Sequence, residues 1–511
     1  MAALSEEKNK KELIIAFIIS LFLGFVFVLL ISPATSILNN VNYGSDSAWI
    51  QLVAKAWTEG LIPYIDTFDH KGPLYFAIDA IGYLLPNTRL GLYIVQSVMM
   101  SGQIFIALRC IRIVCDDKKK KLVVSVICLV LFLLFYSYTL CDGGLSEEYS
   151  NFFLLISFYF LLKYFILYYK ERIVCHPWKH AFIYGLCFGA ITMIRINNAA
   201  SMCVYIFFVI VILIKNKEWK NLLQNAIAAL TGALVVIIPF CIYFYSKDAL
   251  YEFWHYAFEY NYNYMKIKMG TSDQPLKRIL FYLVPEMMLF ISGILLWMKK
   301  KYILASASIV CALLQTYMLI SGSQFTHYFM LGIPLIVLSY LNFVIDEDYF
   351  LPKELFKKAI ILIFLIPQLV CVVFGLHNIP RKLEETFGSA TIEMKQEYKD
   401  SLLQMISIIP EEERDEVGSY NIKGCQKVLY LVSDIKPAPR HMLATELHTT
   451  YDYSVMQMTM DWFYDNNPKW IIMPDSSCLP EMQEYLDGKY ELVYSAPLPE
   501  DDTMYLYKKK N

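Results

Sequence analysis

Five charged residues have side chains whose types suit chemistry at a phosphate. They are Asp46, Lys71, the neighbours Glu147 and Glu148, and Arg195. A carboxylate can take the proton of an attacking hydroxyl group as a general base. Lys and Arg can neutralise the charge that develops on a phosphate leaving group, Arg with a fork of donors and Lys as a point charge.

Each of these residues also has a purely structural interpretation. Asp46 opens a helix-like stretch and could simply cap that helix. Lys71 could extend its side chain to the lipid headgroups, and Glu147 and Glu148 suit the positive end of a helix dipole. Arg195 interrupts an apolar run, which is uncommon for a membrane helix and favours a functional role.

The composition indicates a membrane protein with an acidic soluble tail. Of 511 residues, 57% are hydrophobic and 18% are charged, whereas an ordinary soluble domain has about 25% charged residues. Residues 377–511 contain 14 Lys and Arg against 23 Asp and Glu. Basic residues elsewhere form short clusters beside apolar runs, and this distribution excludes a nucleic-acid-binding protein.

Apolar runs of about 17–25 residues predict helices that cross the membrane. We predict eleven spans, near residues 13–32, 90–114, 122–140, 149–170, 181–198, 199–214, 222–245, 279–298, 302–320, 327–345 and 359–376. The long run over 181–214 is divided into two short spans because Arg195, Asn197 and Asn198 interrupt it. The run over 72–86 is too short for a comfortable span, so we predict a helix in the outer interface.

The basic clusters set the predicted orientation, because cytoplasmic loops carry an excess of Lys and Arg. The six basic clusters fall on the same side of the membrane only if the run over 72–86 does not cross it. The predicted fold is therefore a polytopic α-helical membrane protein with a cytoplasmic N-terminus, a transmembrane domain over 1–376 and a first outer loop over 33–89. We predict a multi-pass protein of a bacterial plasma membrane, with an extracytoplasmic domain over 377–511.

The outer domain is predicted to be a small α/β layer, because strand-like and helical patterns alternate. The predicted strands are 427–433, 469–474, 489–495 and 503–508, and the predicted helices lie around 453–466 and 479–486. Cys425 and Cys478 could form a disulfide in an oxidising compartment. The role of the domain stays open between a lid or acceptor-docking module and a stability or partner domain.

The predicted orientation narrows the substrate class. ATP and nucleotide sugars are largely cytoplasmic, so a phosphate-linked substrate on the outer side is expected to be a lipid phosphate. One carboxylate for the acceptor proton and cations for the leaving phosphate then suit glycosyl transfer from a lipid-linked sugar.

Residues 63–75, PYIDTFDHKGPLY, carry a family resemblance. The sequence resembles the GT-C glycosyltransferases that use polyprenyl-phosphate sugars, in particular the lipid A aminoarabinose transferases and protein O-mannosyltransferases, over about residues 12–335. The resemblance implies Asp46 as the catalytic first-loop acid and Lys71 as a phosphate contact. It also implies a second acid at the start of the fourth span, matched by Glu147 with Glu148 close behind.

Two later segments extend the resemblance. Arg195 stands where relatives often have Lys in a Thr-Lys-Gly-Pro-like segment, so the charge is kept while the turn chemistry differs. His327 and Tyr328 resemble the late aromatic motif before a Leu/Pro-rich span. The predicted donor-phosphate contacts are Lys71, Arg195 and His70, and the predicted substrate contacts are Asp69, Tyr75, His327 and Tyr328.

The resemblance further implies an inverting reaction with no metal and no cofactor. The implied donor is a polyprenyl-phosphate-linked sugar, and the acceptor is a glycolipid, a cell-wall polymer or a protein. A flippase or polymerase of lipid-linked sugars would share the lipid substrate and the cationic lining. A secondary transporter is the main alternative from another class, although the sequence shows no internal repeat and its ionisable groups cluster on the predicted outer side.

The orientation can be tested by cysteine labelling in intact cells. A cysteine at Lys119 should be shielded from a membrane-impermeant thiol reagent, because a basic cluster is predicted to be cytoplasmic. A cysteine at Gly488, in the predicted outer domain, should react. Reaction at position 119 would contradict the eleven-span topology and the interfacial assignment of 72–86.

Overall fold

The structure, a computed structural model, describes residues 2–114, 118–263, 282–321, 325–344, 354–388, 396–474, 479–497 and 503–510. The chain forms two compact units, which are described separately. The first contains Met1–Ile31, Gln96–Phe240 and Lys268–Lys382, and the second contains Ser32–Val95, Cys241–Ile267 and Leu383–Asn511.

Helices dominate both units. They are α1 (Ala2–Ile31), α2 (Asp46–Thr58), α3 (Pro73–Tyr83), α4 (Thr88–Val114), α5 (Lys118–Thr139), α6 (Ser146–Lys170), α7 (Trp178–Arg195), α8 (Ala200–Lys215), α9 (Trp219–Ser246), α10 (Leu250–Trp254), α11 (Val284–Met298), α12 (Tyr302–Ser321), α13 (Ile333–Val344), α14 (Glu354–Phe387), α15 (Gln396–Ile408), α16 (Val428–Val432), α17 (Thr445–Tyr451), α18 (Ser454–Asn466) and α19 (Pro480–Leu486). A 3-10 helix over Thr326–Gly332 precedes α13.

Membrane-length helices lie where the hydropathy predicts them. Within the described residues, eight helical segments are long and apolar enough to cross a bilayer, and two shorter apolar helices accompany them, Val284–Met298 and Thr326–Tyr340. One of the eight, Trp178–Lys215, contains α7, a 3-10 helix over Ile196–Ala199 and α8. The predicted break in this apolar run is therefore confirmed. The first residues of the span predicted at 279–298 lie outside the described residues.

The helix α3 is too short to cross a bilayer. Its 11 residues rise about 1.5 Å each, or about 16 Å in total, against a hydrocarbon core of about 30 Å. This length agrees with the prediction that 72–86 does not cross, while its location in the outer interface stays a prediction.

Glycines set the position of α7 against α9. A Cβ atom on Gly185 would lie 1.9 Å from the carbonyl oxygen of Ala229, and one on Gly232 would lie 2.1 Å from that of Phe182. Only glycine permits such close backbone approach, which is a common way for membrane helices to pack. This contact fixes the helix that ends at Arg195.

The second unit contains a four-stranded sheet with the order β1-β2-β4-β3. Its strands are β1 (Val417–Ser419), β2 (Trp470–Pro474), β3 (Tyr490–Pro497) and β4 (Thr503–Lys509). The first pair is parallel and the other two are antiparallel. The predicted strands 469–474, 489–495 and 503–508 and the helices around 453–466 and 479–486 are confirmed.

The strand predicted at 427–433 is wrong, because these residues form the short helix α16. Val428, Leu429 and Tyr430 are all buried. A short, continuous apolar run has no periodicity that separates a buried strand from a buried helical turn. Cys425 and Cys478, which could form a disulfide, lie outside the residues whose side chains the structure describes.

The compact units do not follow the compositional boundary predicted at residue 376. The hydrophobic core of the C-terminal residues also contains Val41 and Leu52, and Trp49 packs against it. The helix α2 is therefore part of the same unit as the sheet. Its apolar face is covered by C-terminal residues, so these residues hold the helix that begins with Asp46.

Candidate active site

In the first unit, Arg195 is joined to Glu147 and Tyr328. Its Nη1 donates to Glu147 Oε1 at 2.7 Å, and its Nη2 donates to the Tyr328 hydroxyl at 3.1 Å. The guanidinium carbon also lies 4.5 Å from the centre of the Tyr328 ring. Only 1% of the Glu147 side chain is exposed, against 20% of the Arg195 side chain. Two partners therefore fix the guanidinium, while part of the Arg195 side chain stays exposed.

The chain places these groups at helix ends. Arg195 is the last residue of α7 and has an extended backbone, which turns the chain into the 3-10 helix before α8. Asn198, in that helix, donates to the Ser150 hydroxyl on α6 at 2.9 Å. Glu147 lies in the first turn of α6, where the helix dipole favours a negative charge. Ser146 Oγ donates to its second carboxylate oxygen at 2.9 Å.

Glu148 has a different environment from Glu147. Its side chain is fully buried, and Gln96 Nε2 donates to both carboxylate oxygens at 2.8 and 2.9 Å. The backbone N–H of Gly144 donates to Oε2 at 2.9 Å. Buried charges persist only when hydrogen bonds replace their hydration. Glu148 thus fastens the start of α6 to α4 and to the preceding loop.

A buried polar network continues from this point to the segment that carries Tyr328. Gln103 Nε2 donates to the backbone oxygen of Glu148 at 3.1 Å, and Tyr136 donates to Gln103 Oε1 at 2.5 Å. Asn151 Nδ2 donates to the Tyr136 hydroxyl at 3.0 Å and to the backbone oxygen of Met330 at 2.9 Å. These bonds connect α4, α5 and α6 to the 3-10 helix over Thr326–Gly332.

His327 lies beside Tyr328 on the same 3-10 helix. Its ring stacks on Phe325 at a centroid distance of 5.7 Å and meets the Tyr328 ring edge-on at 4.6 Å. The aromatic pair predicted from the sequence therefore flanks the Arg195 guanidinium through Tyr328.

In the second unit, Lys71 is held in a tight turn by Asp69. The Lys71 Nζ lies 3.4 Å from Asp69 Oδ2, and the Lys71 backbone N–H donates to Asp69 Oδ1 at 2.7 Å. The Tyr64 hydroxyl donates to the Lys71 carbonyl oxygen at 2.6 Å. Asp69 is buried, so it serves to position Lys71 and offers little surface to a substrate. Gly72 and Pro73 then start α3.

The two neighbours predicted with Lys71 have different surroundings. The carbonyl oxygen of His70 accepts a hydrogen bond from Asn261 Nδ2, and the His70 ring lies 6.0 Å from the Tyr260 ring. His70 is half-buried. Tyr75, on α3, is 1% exposed, so its ring belongs to the interior of the unit.

Asp46 is exposed in the first turn of α2, and lysines hold both ends of that helix. Lys427 Nζ donates to the carbonyl oxygen of Ser45 at 2.9 Å and lies 5.0 Å from the Trp49 ring centre. Lys55 Nζ donates to the carbonyl oxygens of Tyr430 and Ser433. Burial lowers the pKa of Lys55, an effect that Glu59 and Asp434 oppose. Ser45, not Asp46, occupies the N-cap position.

Comparison with known proteins gives a structural match but no sequence match. No family model matches the chain, and no curated protein matches it. ArnT from Cupriavidus metallidurans bound to undecaprenyl phosphate is similar in structure, with a TM-score of 0.57 and 12% identity over 96% of this chain and 97% of that chain. The apo state of the same protein gives the same TM-score and identity over 98% of each chain. An oligosaccharyltransferase from Archaeoglobus fulgidus is a weaker match, with a TM-score of 0.48 and 11% identity over 89% of this chain and 68% of that chain.

The chain has the GT-C fold. The match to ArnT runs almost from end to end of both chains, so it includes the membrane helices and the C-terminal sheet. The fold class predicted from the sequence, a polytopic helical membrane protein of GT-C type with a small C-terminal α/β part, is therefore confirmed. At 12% identity the match establishes the fold, and the roles of single residues stay predictions.

Within the GT-C fold, the structure groups the predicted site residues into two sets. Arg195 contacts both Glu147 and Tyr328 in the first unit, and Asp69 contacts Lys71 in the second. Sequence reasoning missed Gln96, Gln103, Tyr136 and Asn151, because single polar residues inside long apolar runs give no pattern that separates network members from other residues. In the described part of the chain, no three His, Cys, Asp or Glu side chains are arranged to hold a metal ion.

The environment of Glu148 predicts a loss of stability in Glu148→Gln. The amide NH2 group would face the donors of Gln96 and Gly144, so at least one buried donor would lose its acceptor, at a cost of about 1–3 kcal/mol. The purified variant should unfold at a lower temperature than the unchanged protein. Glu171→Gln, at the exposed end of the same helix, is the matched control and should unfold normally. Equal unfolding temperatures for Glu148→Gln and Glu171→Gln would contradict a structural role for Glu148.

Proposed function

We propose that the protein transfers a sugar from a polyprenyl-phosphate-linked donor to an acceptor on the outer side of a bacterial plasma membrane. The observation that supports this proposal is the Arg195 guanidinium, which Glu147 holds in place. The fold of the chain is similar to that of ArnT bound to undecaprenyl phosphate. The acceptor class is a glycolipid, a cell-wall polymer or a protein. The enzyme class is therefore a glycosyltransferase that uses a lipid-phosphate-sugar donor.

The arrangement of Arg195 suits a phosphate contact. Glu147 and Tyr328 each take one of the two terminal nitrogens, and 20% of the side chain stays exposed. A guanidinium has five N–H donors in a rigid plane, so donors remain for a phosphate oxygen. Because Glu147 and Tyr328 hold the plane before a ligand arrives, binding requires little further ordering of the side chain. The proposed role of Glu147 is to position Arg195.

Lys71 is the second proposed phosphate contact. Asp69 fixes its backbone and lies within ion-pair distance of its ammonium group, while 18% of the Lys71 side chain stays exposed. An ammonium group that is partly exposed can act as a point charge on a phosphate. His70 lies next to it and is assigned to the same phosphate.

Asp46 is the proposed general base. The acceptor oxygen attacks the anomeric carbon as the bond from that carbon to the phosphate oxygen breaks, and the acceptor proton passes to the Asp46 carboxylate. The polyprenyl phosphate leaves with the bonding electrons, and its charge is neutralised by Arg195 and Lys71. A single displacement of this kind inverts the anomeric configuration. Asp46 is exposed, as a base must be to meet an acceptor.

Replacing Asp46 distinguishes two roles of this residue, a general base and a residue that only begins the helix α2. Asp46→Asn keeps the size and local hydrogen-bonding ability of the side chain but cannot accept the proton. We expect the rate of sugar transfer to fall by about 100-fold or more, with unchanged thermal unfolding. Asp461→Asn, an exposed substitution in α18 of the same unit, should keep full activity. Near-normal turnover in Asp46→Asn would remove Asp46 from the mechanism.

Replacing Arg195 tests the donor contact directly. Arg195→Gln should weaken the binding of polyprenyl phosphate by about 10- to 150-fold, the equivalent of one charge-assisted contact. Arg195→Lys should recover part of the affinity, because it restores the charge without the fork. Arg172→Gln, on an exposed turn after α6, should bind normally. Unchanged lipid binding in Arg195→Gln would refute the phosphate contact, and transport of the donor across vesicles without sugar release would favour a flippase.

A further inference from the structure

The second unit contains a cavity of about 630 Å3 that none of the proposed donor contacts lines. Its wall is formed by the first loop near residues 61–66 and by C-terminal segments near residues 436–441 and 458–462. The volume falls in the range of about 300–1,000 Å3 that is typical of small-molecule sites. The polar and aromatic lining residues that matter here are Asp66, Asp415, Lys436, Arg440, His441 and Trp462.

Arg440 supplies a positive charge to this cavity. Its Nη1 donates to the carbonyl oxygen of Tyr64 at 3.1 Å, and its Nη2 donates to the Met458 sulfur at 3.3 Å. The guanidinium lies 5.4 Å from the centre of the Tyr256 ring. All three partners are neutral, and no carboxylate of the described residues lies within ion-pair distance of Arg440. Its charge is therefore held in place without an ion-pair partner among the described residues, as in a site that binds an anionic group.

Neither of the two carboxylates of the lining forms an ion pair with Arg440. Asp415 pairs with Lys436 at 3.0 Å, and both side chains are exposed at the rim. Asp66 Oδ2 accepts the backbone N–H of Ile62 at 2.6 Å, which fixes the carboxylate in the loop. A fixed carboxylate of this kind is an acceptor for hydroxyl groups.

The remaining lining residues suit a sugar ring. Trp462 is half-buried, and an aromatic face packs well on the C–H bonds of a sugar. His441 is 2% exposed, and its Nδ1 has no hydrogen-bond partner among the described residues. Burial and the nearby Arg440 guanidinium lower the pKa of His441, so the imidazole is neutral at pH 7. A neutral imidazole can hydrogen-bond to a hydroxyl group without adding charge.

We propose that this cavity binds an acidic saccharide, with its anionic group at Arg440, a ring against Trp462 and hydroxyl groups near Asp66. That this cavity is a subsite for the acceptor rests on the proposed glycosyltransferase function. The binding of the saccharide does not depend on that function. The proposed ligand class is a saccharide that carries a carboxylate or a phosphate ester.

The test is a titration of the purified full-length protein with three probes. They are a galacturonic acid trimer, the neutral galactose trimer and inorganic phosphate, each followed by isothermal titration calorimetry. We expect the acidic trimer to bind at least about 10-fold more tightly than the other two, because only it meets both the charge and the aromatic face. Arg440→Gln and Trp462→Leu should each weaken its binding by about 10-fold or more.

Matched variants distinguish the loss of a ligand contact from misfolding of the protein. Arg440→Lys should restore part of the affinity, and Arg414→Gln, which removes an arginine of the same unit outside the cavity lining, should bind normally. The Arg440 and Trp462 variants should also unfold at the temperature of the unchanged protein. Equal binding of the neutral trimer, equal binding of phosphate alone, or unchanged binding in Arg440→Gln would overturn the proposal.

Sugar release from the lipid donor, measured on the same preparations, separates the two proposals. Donor turnover without binding of the acidic trimer would remove the saccharide site and leave the glycosyltransferase. Arg440-dependent binding without turnover of any polyprenyl-phosphate sugar would keep the site and remove the glycosyltransferase.

Discussion

The ion pair between Glu147 and Arg195 is the contact on which the candidate site of the membrane unit depends. A carboxylate that is almost fully buried costs several kcal/mol unless a cation and hydrogen bonds replace its hydration. Arg195 and Ser146 provide both. The pair also fixes the end of α7 against the start of α6. The ion pair therefore stabilises the break in the apolar run at 195–199. The same pair fixes the guanidinium while 20% of the Arg195 side chain stays exposed.

The surrounding elements support that pair from several directions. Glycine contacts set α7 against α9, Glu148 fastens the start of α6 to α4, and Asn151 holds the segment that carries Tyr328. In the second unit, Lys427 and Lys55 hold the two ends of α2 by hydrogen bonds to backbone oxygens. The C-terminal residues are thus a structural support for the helix that begins with Asp46. These contacts give the C-terminal residues a stabilising role, and the role as a lid or acceptor-docking module stays a prediction.

The sequence predicts the membrane helices well because a helix in lipid must satisfy its own backbone and be apolar over a fixed length. It also predicts the break at Arg195, since a charge inside an apolar run is costly. It fails at 427–433, where a short apolar run folds as α16 and not as a strand. It cannot reveal the Gln96–Glu148 bond or the contact of Lys427 with Ser45, because both join residues distant in sequence. Nor can it separate Glu147 from Glu148, which differ only in the partners that the fold brings to them.

The anomeric configuration of the first product tests most directly whether the protein transfers a sugar by a single displacement at Asp46. Purified protein is supplied with polyprenyl-phosphate sugars of known configuration, and the released or transferred sugar is followed by proton NMR before it can equilibrate. A single displacement predicts a product whose configuration is opposite to that of the donor, formed as polyprenyl phosphate is released. A product with retained configuration would contradict the single displacement at Asp46. Release of no sugar from any such donor would contradict the glycosyltransferase function itself.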